Sequence, residues 1–368
     1  MKKILIFLFL SIQYFNVHSQ NDQIYRKVID SFETHKISGN FNFSNGEFRW
    51  KGKYLNGKRT GKWKTYYRTG ELAYVVRYSD NKRTGKAKSF YKNGNIENIE
   101  RYSKEGFRKG EWKSFYENGQ LMKIENHSIG IENGIWESYY ENGQLKWIQK
   151  YSEGKRIGSW KTYYENGQIE ESSFFSNGEL NGKYSIYFEN GELKKTVNYI
   201  DGKEDGECKE YFESGQLKRL SNYFKGLLTS ERKKYKENGH LWETAYFLDD
   251  KLNGEMKRFW ETGELALVEK YSKGKRTGEG ISYYKNGQIR SINNYSFGNR
   301  IGKWVNYFEN GQIENVAFFS NDKLNGEFRV YFENGQLREV RNYIDGKEKG
   351  KWVSYDKDGN LIKETVFE

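Results

Sequence analysis

From residue 45 onward, short runs of aromatic and β-branched residues alternate with polar, glycine-bearing breaks, and the alternation has a fixed beat. One period reads G-x-W-x-x-Y-Y-E-N-G-Q-L-x-x-x-x-x-Y-x-x-G-K-x-x. Two such runs on either side of a turn signal predict a β-hairpin. The turn glycines are Gly46, Gly70, Gly94, Gly119, Gly143, Gly167, Gly191, Gly215, Gly239, Gly263, Gly287, Gly311, Gly335 and Gly359. They are 24 residues apart except for one step of 25, between Gly94 and Gly119. A second glycine column precedes the first by nine residues, with Ser230 replacing glycine once. The extra residue falls between Tyr102 and Gly110, so it should lengthen a connection and spare the strands. A fixed period of this size means a repeat array.

The turn chemistry selects the loop. Asn-Gly alone would suggest a two-residue type I′ turn, with both residues at positive φ. The residue before the glycine, however, is Thr69, Ser214, Thr262 or Asp358 in four copies. Threonine at positive φ is strongly disfavoured. A three-residue loop asks positive φ of the glycine alone. That loop predicts Tyr139 opposite Leu145, Trp136 opposite Ile148, Tyr66 opposite Leu72, Trp63 opposite Val75, Trp112 opposite Ile124 and Trp304 opposite Val316. The two-residue loop would instead set Trp136 against Gln149 and Trp112 against Glu125, and is rejected. Alternation then puts Tyr139, Leu145 and Tyr151 on one face, and Trp136, Tyr140 and Ile148 on the other. The expected fold is all-β: about 13 stacked antiparallel hairpins in a twisted single-layer ribbon, roughly 120 Å long at about 4.8 Å per strand.

Composition agrees with a chain that is nearly all ladder. Proline is absent, and 17 % of the residues are aromatic: Tyr 30, Phe 24, Trp 10. Aliphatic residues are scarce, so burial must rest on rings. The start differs. MKKILIFLFLSIQYFNVHS (1–19) has two lysines, a short apolar run and a small-residue end, the layout of an export signal. That run is too short to cross a membrane. Residues 20–44 break the repeat and are expected to cap the array at 45–368. The mature chain is expected in the periplasm or secreted.

Chemistry is thin. His35, His127 and His240 remain after cleavage, at no metal-ligand spacing, and Cys208 is the single cysteine. No phosphate loop opens a helix. No catalytic residue, cofactor or metal is expected, and the chain reads as a non-enzyme. The net charge of +12, or +10 without Lys2 and Lys3, is spread over all repeats and mixed with acids. With the export signal, this disfavours nucleic acid. It leaves attraction to an acidic polysaccharide or lipid headgroup as the sharper reading of the charge. One repeat departs from the rest: in LLTSERKKYKENGHLWE (227–243), Arg232 replaces tryptophan and Lys236 the second aromatic. Arg232, Lys233, Lys234 and Lys236 are therefore candidate docking residues. The repeating rings Trp63, Trp112, Trp136, Trp160, Trp304, Trp352, Tyr67, Tyr116, Tyr140 and Tyr164 are the candidate binding surface.

YSEGKRIGSWKTYYENGQ (151–168) resembles the MORN repeat in its bacterial variant form. Tyr151, Gly154, Lys155, Gly158, Tyr163 and Gly167 match that pattern in order, and the match recurs through about 45–368. Ile157 stands where MORN repeats often carry histidine, and Trp160 where they usually carry glycine. The resemblance implies stacked hairpins. Through bacterial chains of this form known as antitoxins of the YwqK type, it also implies a protein partner, without assigning any contact residue. Three functions follow as expectations. The first is a protein-interaction module or scaffold, antitoxin- or immunity-like if the partner is a toxin. The second is glycan binding through the aromatic rows, and the weakest is anionic lipid binding.

Overall fold

A computed structural model describes residues 34–44 and 46–368. The expected export signal and residues 20–33 of the expected cap lie outside the described residues. Internal packing divides the chain after Glu179 into two units, each described by itself.

In the first unit the main strands are Gly39–Ser44, Phe48–Leu55, Lys58–Tyr67, Leu72–Ser79, Lys82–Phe90, Ile96–Tyr102, Gly110–Phe115, Leu121–Ser128, Gly134–Tyr139, Leu145–Ser152, Gly158–Tyr163 and Ile169–Ser176. Each pairs antiparallel with its neighbours in the chain. The second unit repeats the arrangement from Gly182–Tyr187 and Leu193–Ile200 to Gly350–Tyr355 and Leu361–Phe367. From Gly39 on, all regular structure is antiparallel β, as the hairpin pattern requires. Gly39–Ser44, which the repeat pattern leaves in the cap, is in fact the first strand. Its sequence GNFNFS has period two and buries Phe41 and Phe43, though it lacks the repeat's other letters.

The turns are three-residue loops, as expected. Gly143 has φ +86, its N–H donates to the Tyr140 carbonyl at 2.9 Å, and the Tyr140 N–H donates to the Gln144 carbonyl at 2.8 Å. Asn142 Oδ1 accepts the Gln144 N–H at 2.9 Å and braces the loop. Between hairpins the chain turns tightly with two residues at positive φ, such as Glu153 at +49 and Gly154 at +77. The 25-residue step changes one such connection. Ser103 N–H donates to the Phe107 carbonyl and Gly106 sits at φ +91, so the added residue makes this a three-residue loop. The strand register beyond it is intact, with Gly110 opposite His127.

The register within each hairpin corrects the expectation. Tyr139 does face Leu145, and Tyr66 faces Leu72, but a β-bulge follows at once. Lys146 is the extra residue, so Ser138 pairs with Trp147 and Trp136 with Gln149 rather than Ile148. Likewise Trp63 faces Val76, Trp112 faces Glu125 and Trp304 faces Ala317. A bulge admits two residues opposite one and moves every later side chain to the other face. Trp136 and Tyr151 therefore share a face, on which their rings lie 5.1 Å apart. Glu137 and Ile148 pair with each other.

The best-buried core lies at the start of the first unit: Phe41, Phe43, Trp50, Tyr54, Trp63, Tyr74, Val76, Tyr78 and Ala87. Phe43 and Trp50 stack at 5.4 Å, almost parallel. Gly52 lies directly beneath the Trp63 indole, where a Cβ would come within 2.2 Å of the ring atoms.

Candidate functional site

The bulge decides what the tryptophans do. Those of the repeated column are placed beside the aromatic column of their own hairpin and that of the one before. Trp112 packs between Tyr102 and His127 at 5.2 and 5.5 Å, and Trp136 between His127 and Tyr151 at 5.3 and 5.1 Å. Trp160 continues the row between Tyr151 and Phe175. In the second unit Trp304 joins Tyr295 to Phe319, and Trp352 joins Tyr343 to Phe367. These tilted and edge contacts are favourable ring geometries. The indole N–H groups are satisfied too: Trp112, Trp136, Trp160, Trp304 and Trp352 donate to the Arg101, Asn126, Lys150, Asn294 and Asn342 carbonyls. Arg108 and Arg156 lie over Trp112 and Trp160 at 4.5 and 4.6 Å. Trp63 is buried in the core. These column tryptophans thus tie hairpin to hairpin, with rings covered by neighbours instead of standing open.

Where the second aromatic of a copy is tyrosine, it does the same work at the turn edge. Tyr67, Tyr116 and Tyr140 donate their hydroxyls to the Phe90, Tyr139 and Tyr163 carbonyls of the next repeat, at 2.6–2.8 Å. Tyr164 is half-buried at the equivalent position. Turn asparagines add a parallel tie, such as Asn93 to the Glu117 carbonyl at 2.9 Å.

The basic interruption in the second unit is neutralised internally. Arg232, Lys234 and Arg258 converge on Glu243 at 2.9, 3.0 and 3.3 Å, and Glu243 is almost fully buried. Burial alone would raise its pKa. Hydrogen bonds and charge from Lys234 and Arg232 outweigh that and hold the carboxyl below its ordinary range. Lys233 pairs with Glu231 and Lys236 with Glu261. Ser230 takes the glycine's positive φ at +128. Glu243 was not anticipated, because its pairing with Lys234 exists only in the bulged register.

His127 replaces a ring in its column and is buried. Desolvation lowers its pKa, and its Nδ1 has no hydrogen-bond partner. Tyr74 and Tyr102 both donate to Glu100 Oε2, at 2.8 and 2.9 Å, and Arg83 donates to the Tyr102 hydroxyl. Burial and the Glu100 charge push the Tyr102 phenol up to about 12. Among the described residues no group of three or more His, Cys, Asp or Glu could hold a metal. No helix among them is long and apolar enough to cross a membrane, which says nothing of strands.

One surface of the first unit stands out, at the lengthened repeat. Phe107, Ile129, Ile131 and Ile135 are exposed large apolar residues. Phe107, His127 and Ile129 help line an open cleft of about 710 Å³. Ile129 occupies a tight-turn position at φ +50 and is 71 % exposed. A β-branched residue in the left-handed region is a genuine outlier.

The geometry defines a β-hairpin repeat protein whose repeated side chains mainly join one repeat to the next. The chain belongs to the MORN repeat variant family, whose pattern matches residues 59–80, 83–104, 108–128, 132–153, 156–177, 180–201, 204–225, 276–296, 300–321 and 324–345, more than half of its length. The unmatched interval 226–275 contains the Ser230–Glu243 interruption. No curated protein matches the chain. Among solved structures it is similar to TcdB2-TccC3-Cdc42, at 12 % identity over 84 % of this chain and 19 % of that one, with a TM-score of 0.17. It is also similar to the Photorhabdus luminescens Tc holotoxin pore with the TccC3-D651A mutation, at 9 % identity over 88 % of this chain and 24 % of that one, with a TM-score of 0.16. The chain thus spans about a fifth to a quarter of these structures.

Proposed function

We propose that the chain is an exported, non-enzymatic interaction module that binds a protein through the apolar surface around Phe107 and Ile129. The observation that carries this reading is Ile129 itself: a β-branched side chain held at φ +50 and 71 % exposed, beside exposed Phe107. Neither strain nor exposure helps the fold, and local strain of this kind gathers at functional sites. Clustered exposed apolar side chains mark interaction surfaces. Export rests on the layout of residues 1–19. A toxin as partner would make the chain an antitoxin of the YwqK type, and a structural envelope protein would make it a scaffold. Glycan stacking is supported less well, because the tryptophan rings are already packed against neighbours.

The test is affinity capture with quantitative mass spectrometry, comparing the native chain with Phe107→Ser/Ile129→Ser, beside sedimentation with purified envelope polysaccharide and anionic vesicles. A stoichiometric partner lost in the double variant supports the proposal. A partner retained by that variant overturns it. So does polysaccharide sedimentation that weakens with each of Trp112→Ala and Trp304→Ala.

A further inference from the structure

The bulged register exposes a charge pattern on the sheet face opposite the tryptophans. In the first unit, Lys51 lies directly across from Lys64, Lys62 from Arg77, and Lys86 from Arg101. Like charges directly opposite destabilise a sheet. Lys51, Lys62, Arg77, Lys86 and Arg101 are exposed, flanking Trp50, Trp63, Val76, Ala87 and Glu100 on the far face. None of these six cations forms an ion pair with a described carboxylate. Lys88 extends the patch, opposite Ile99.

The same columns of the second unit are built otherwise. There the residue before the tryptophan column is usually glutamate, and it pairs with the lysine or arginine two positions on: Glu207 with Lys209, Glu231 with Lys233, Glu255 with Lys257, Glu327 with Arg329. The cross-strand partners corresponding to Lys62–Arg77 are Lys183–Asn198, Glu207–Asn222, Glu255–Lys270 and Lys303–Phe318, with no like-charged pair among them. One fold thus offers a self-neutralised solution, and residues 51–101 do not use it.

We propose that this face of the first unit binds an acidic protein segment in extended conformation. Charge complementarity is the first argument. Spacing is the second: cations two residues apart on a strand, as in Lys62/Lys64 and Lys86/Lys88, stand about 6.6–6.8 Å apart, the interval between alternate side chains of an extended peptide. Open stacking platforms for bases are few here: Tyr66 is already covered by Arg49 and Lys51 at 5.0 and 5.8 Å, and Phe90, the matching ring of the next repeat, is half-buried. The inference deepens the reading of the chain as a protein-binding module, and it is tested without any natural partner. Its outcome is therefore independent of capture at Phe107 and Ile129.

The experiment is fluorescence anisotropy of the full chain with labelled poly-L-glutamate of about twenty residues, over a range of salt. Two triple variants with the same charge change are compared: Lys62→Glu/Lys64→Glu/Lys86→Glu, and Lys183→Glu/Lys270→Glu/Lys303→Glu in the second unit. The expected result is salt-sensitive binding that falls at least tenfold in the first variant and less than threefold in the second. Should the first variant misfold by circular dichroism, Lys62→Gln/Lys64→Gln/Lys86→Gln replaces it, with the same expectation. Three results overturn the proposal: no binding of poly-L-glutamate, equal loss in both variants, or tighter binding of duplex DNA, polygalacturonate or anionic vesicles at matched charge.

Discussion

Replacing Ile129 by asparagine should stabilise the protein while impairing its function. At φ +50 an L-residue gives up roughly 1–2 kcal/mol, and β-branching places Ile129 at the upper end. The equivalent turn position is a short polar residue that tolerates this conformation in most copies, Asn56, Asp80, Asn177, Asp201, Asp249, Asn321 and Asp345, and is Glu153, Lys225, Lys273 or Phe297 in the others. Little burial is lost, because Ile129 is 71 % exposed. Full burial of such a side chain is worth about 1.5–3 kcal/mol, so the remainder contributes about 0.6 kcal/mol. Relief of about 1.5 kcal/mol less that loss leaves a net gain of about 1 kcal/mol, or about 2–4 °C in Tm for a unit of this size. Thermal unfolding followed by circular dichroism reads it. Phe297→Asp is the matched control in the second unit, since Phe297 holds the same turn position at φ +47 and is 69 % exposed. Ile129→Asn should also lose the captured partner, whereas Phe297→Asp should keep it. A Tm that falls for Ile129→Asn while rising for Phe297→Asp would refute the strain argument.

Other expectations are as direct. Gly52→Ala should destabilise by about 1–3 kcal/mol in chemical denaturation, because the new methyl collides with the Trp63 ring. Gly280→Ala should do the opposite, by about 0.5–1 kcal/mol: its φ is ordinary and a Cβ would meet Glu269, Val268 and Tyr295 at 3.5–3.8 Å. Glu243→Gln should cost about 2–3 kcal/mol, less than a fully buried pair because its cations are partly exposed. Since the folded pKa of Glu243 lies below its unfolded value, its contribution is complete above the ordinary carboxylate pKa and is lost as pH falls through the lower folded value. Acid titration of native and Glu243→Gln chains should therefore converge at low pH, and a constant gap would count against the ion cluster. The Cys208 thiol is buried and pushed up to about 11 by desolvation, so iodoacetamide should label it only on unfolding.

The sequence made the period, the hairpins and the left-handed turn glycines legible because Asn-Gly and its Thr and Ser variants restrict the backbone directly. The bulge was not legible. The extra residue is Lys146 in one copy, and Ala73, Glu97 or Met122 in others, so no shared letter marks it. From that one missed residue follow the swapped faces, the unseen Glu243 cluster and the reassignment of tryptophans from an open surface to joints between hairpins. The first strand was missed because GNFNFS carries alternation without the repeat's letters. The opposed lysines and arginines of residues 51–101 could be recognised only once the faces were right. Ile129 was hidden because a residue's letter does not announce its φ.

The tyrosine ties between successive repeats share one offset, from Tyr140 to the Tyr163 carbonyl and from Tyr116 to the Tyr139 carbonyl alike, and the tie from Tyr91 to the Phe115 carbonyl is longer by the one residue inserted between them. A gene encoding such a chain can therefore gain or lose a whole period by unequal recombination, and every surviving joint still meets a matching surface. A single added residue is accommodated at a connection, as the loop from Ser103 to Phe107 shows. Length is thus the trait that selection can alter most freely in this architecture, while the spacing inside each period is held as if by a ruler.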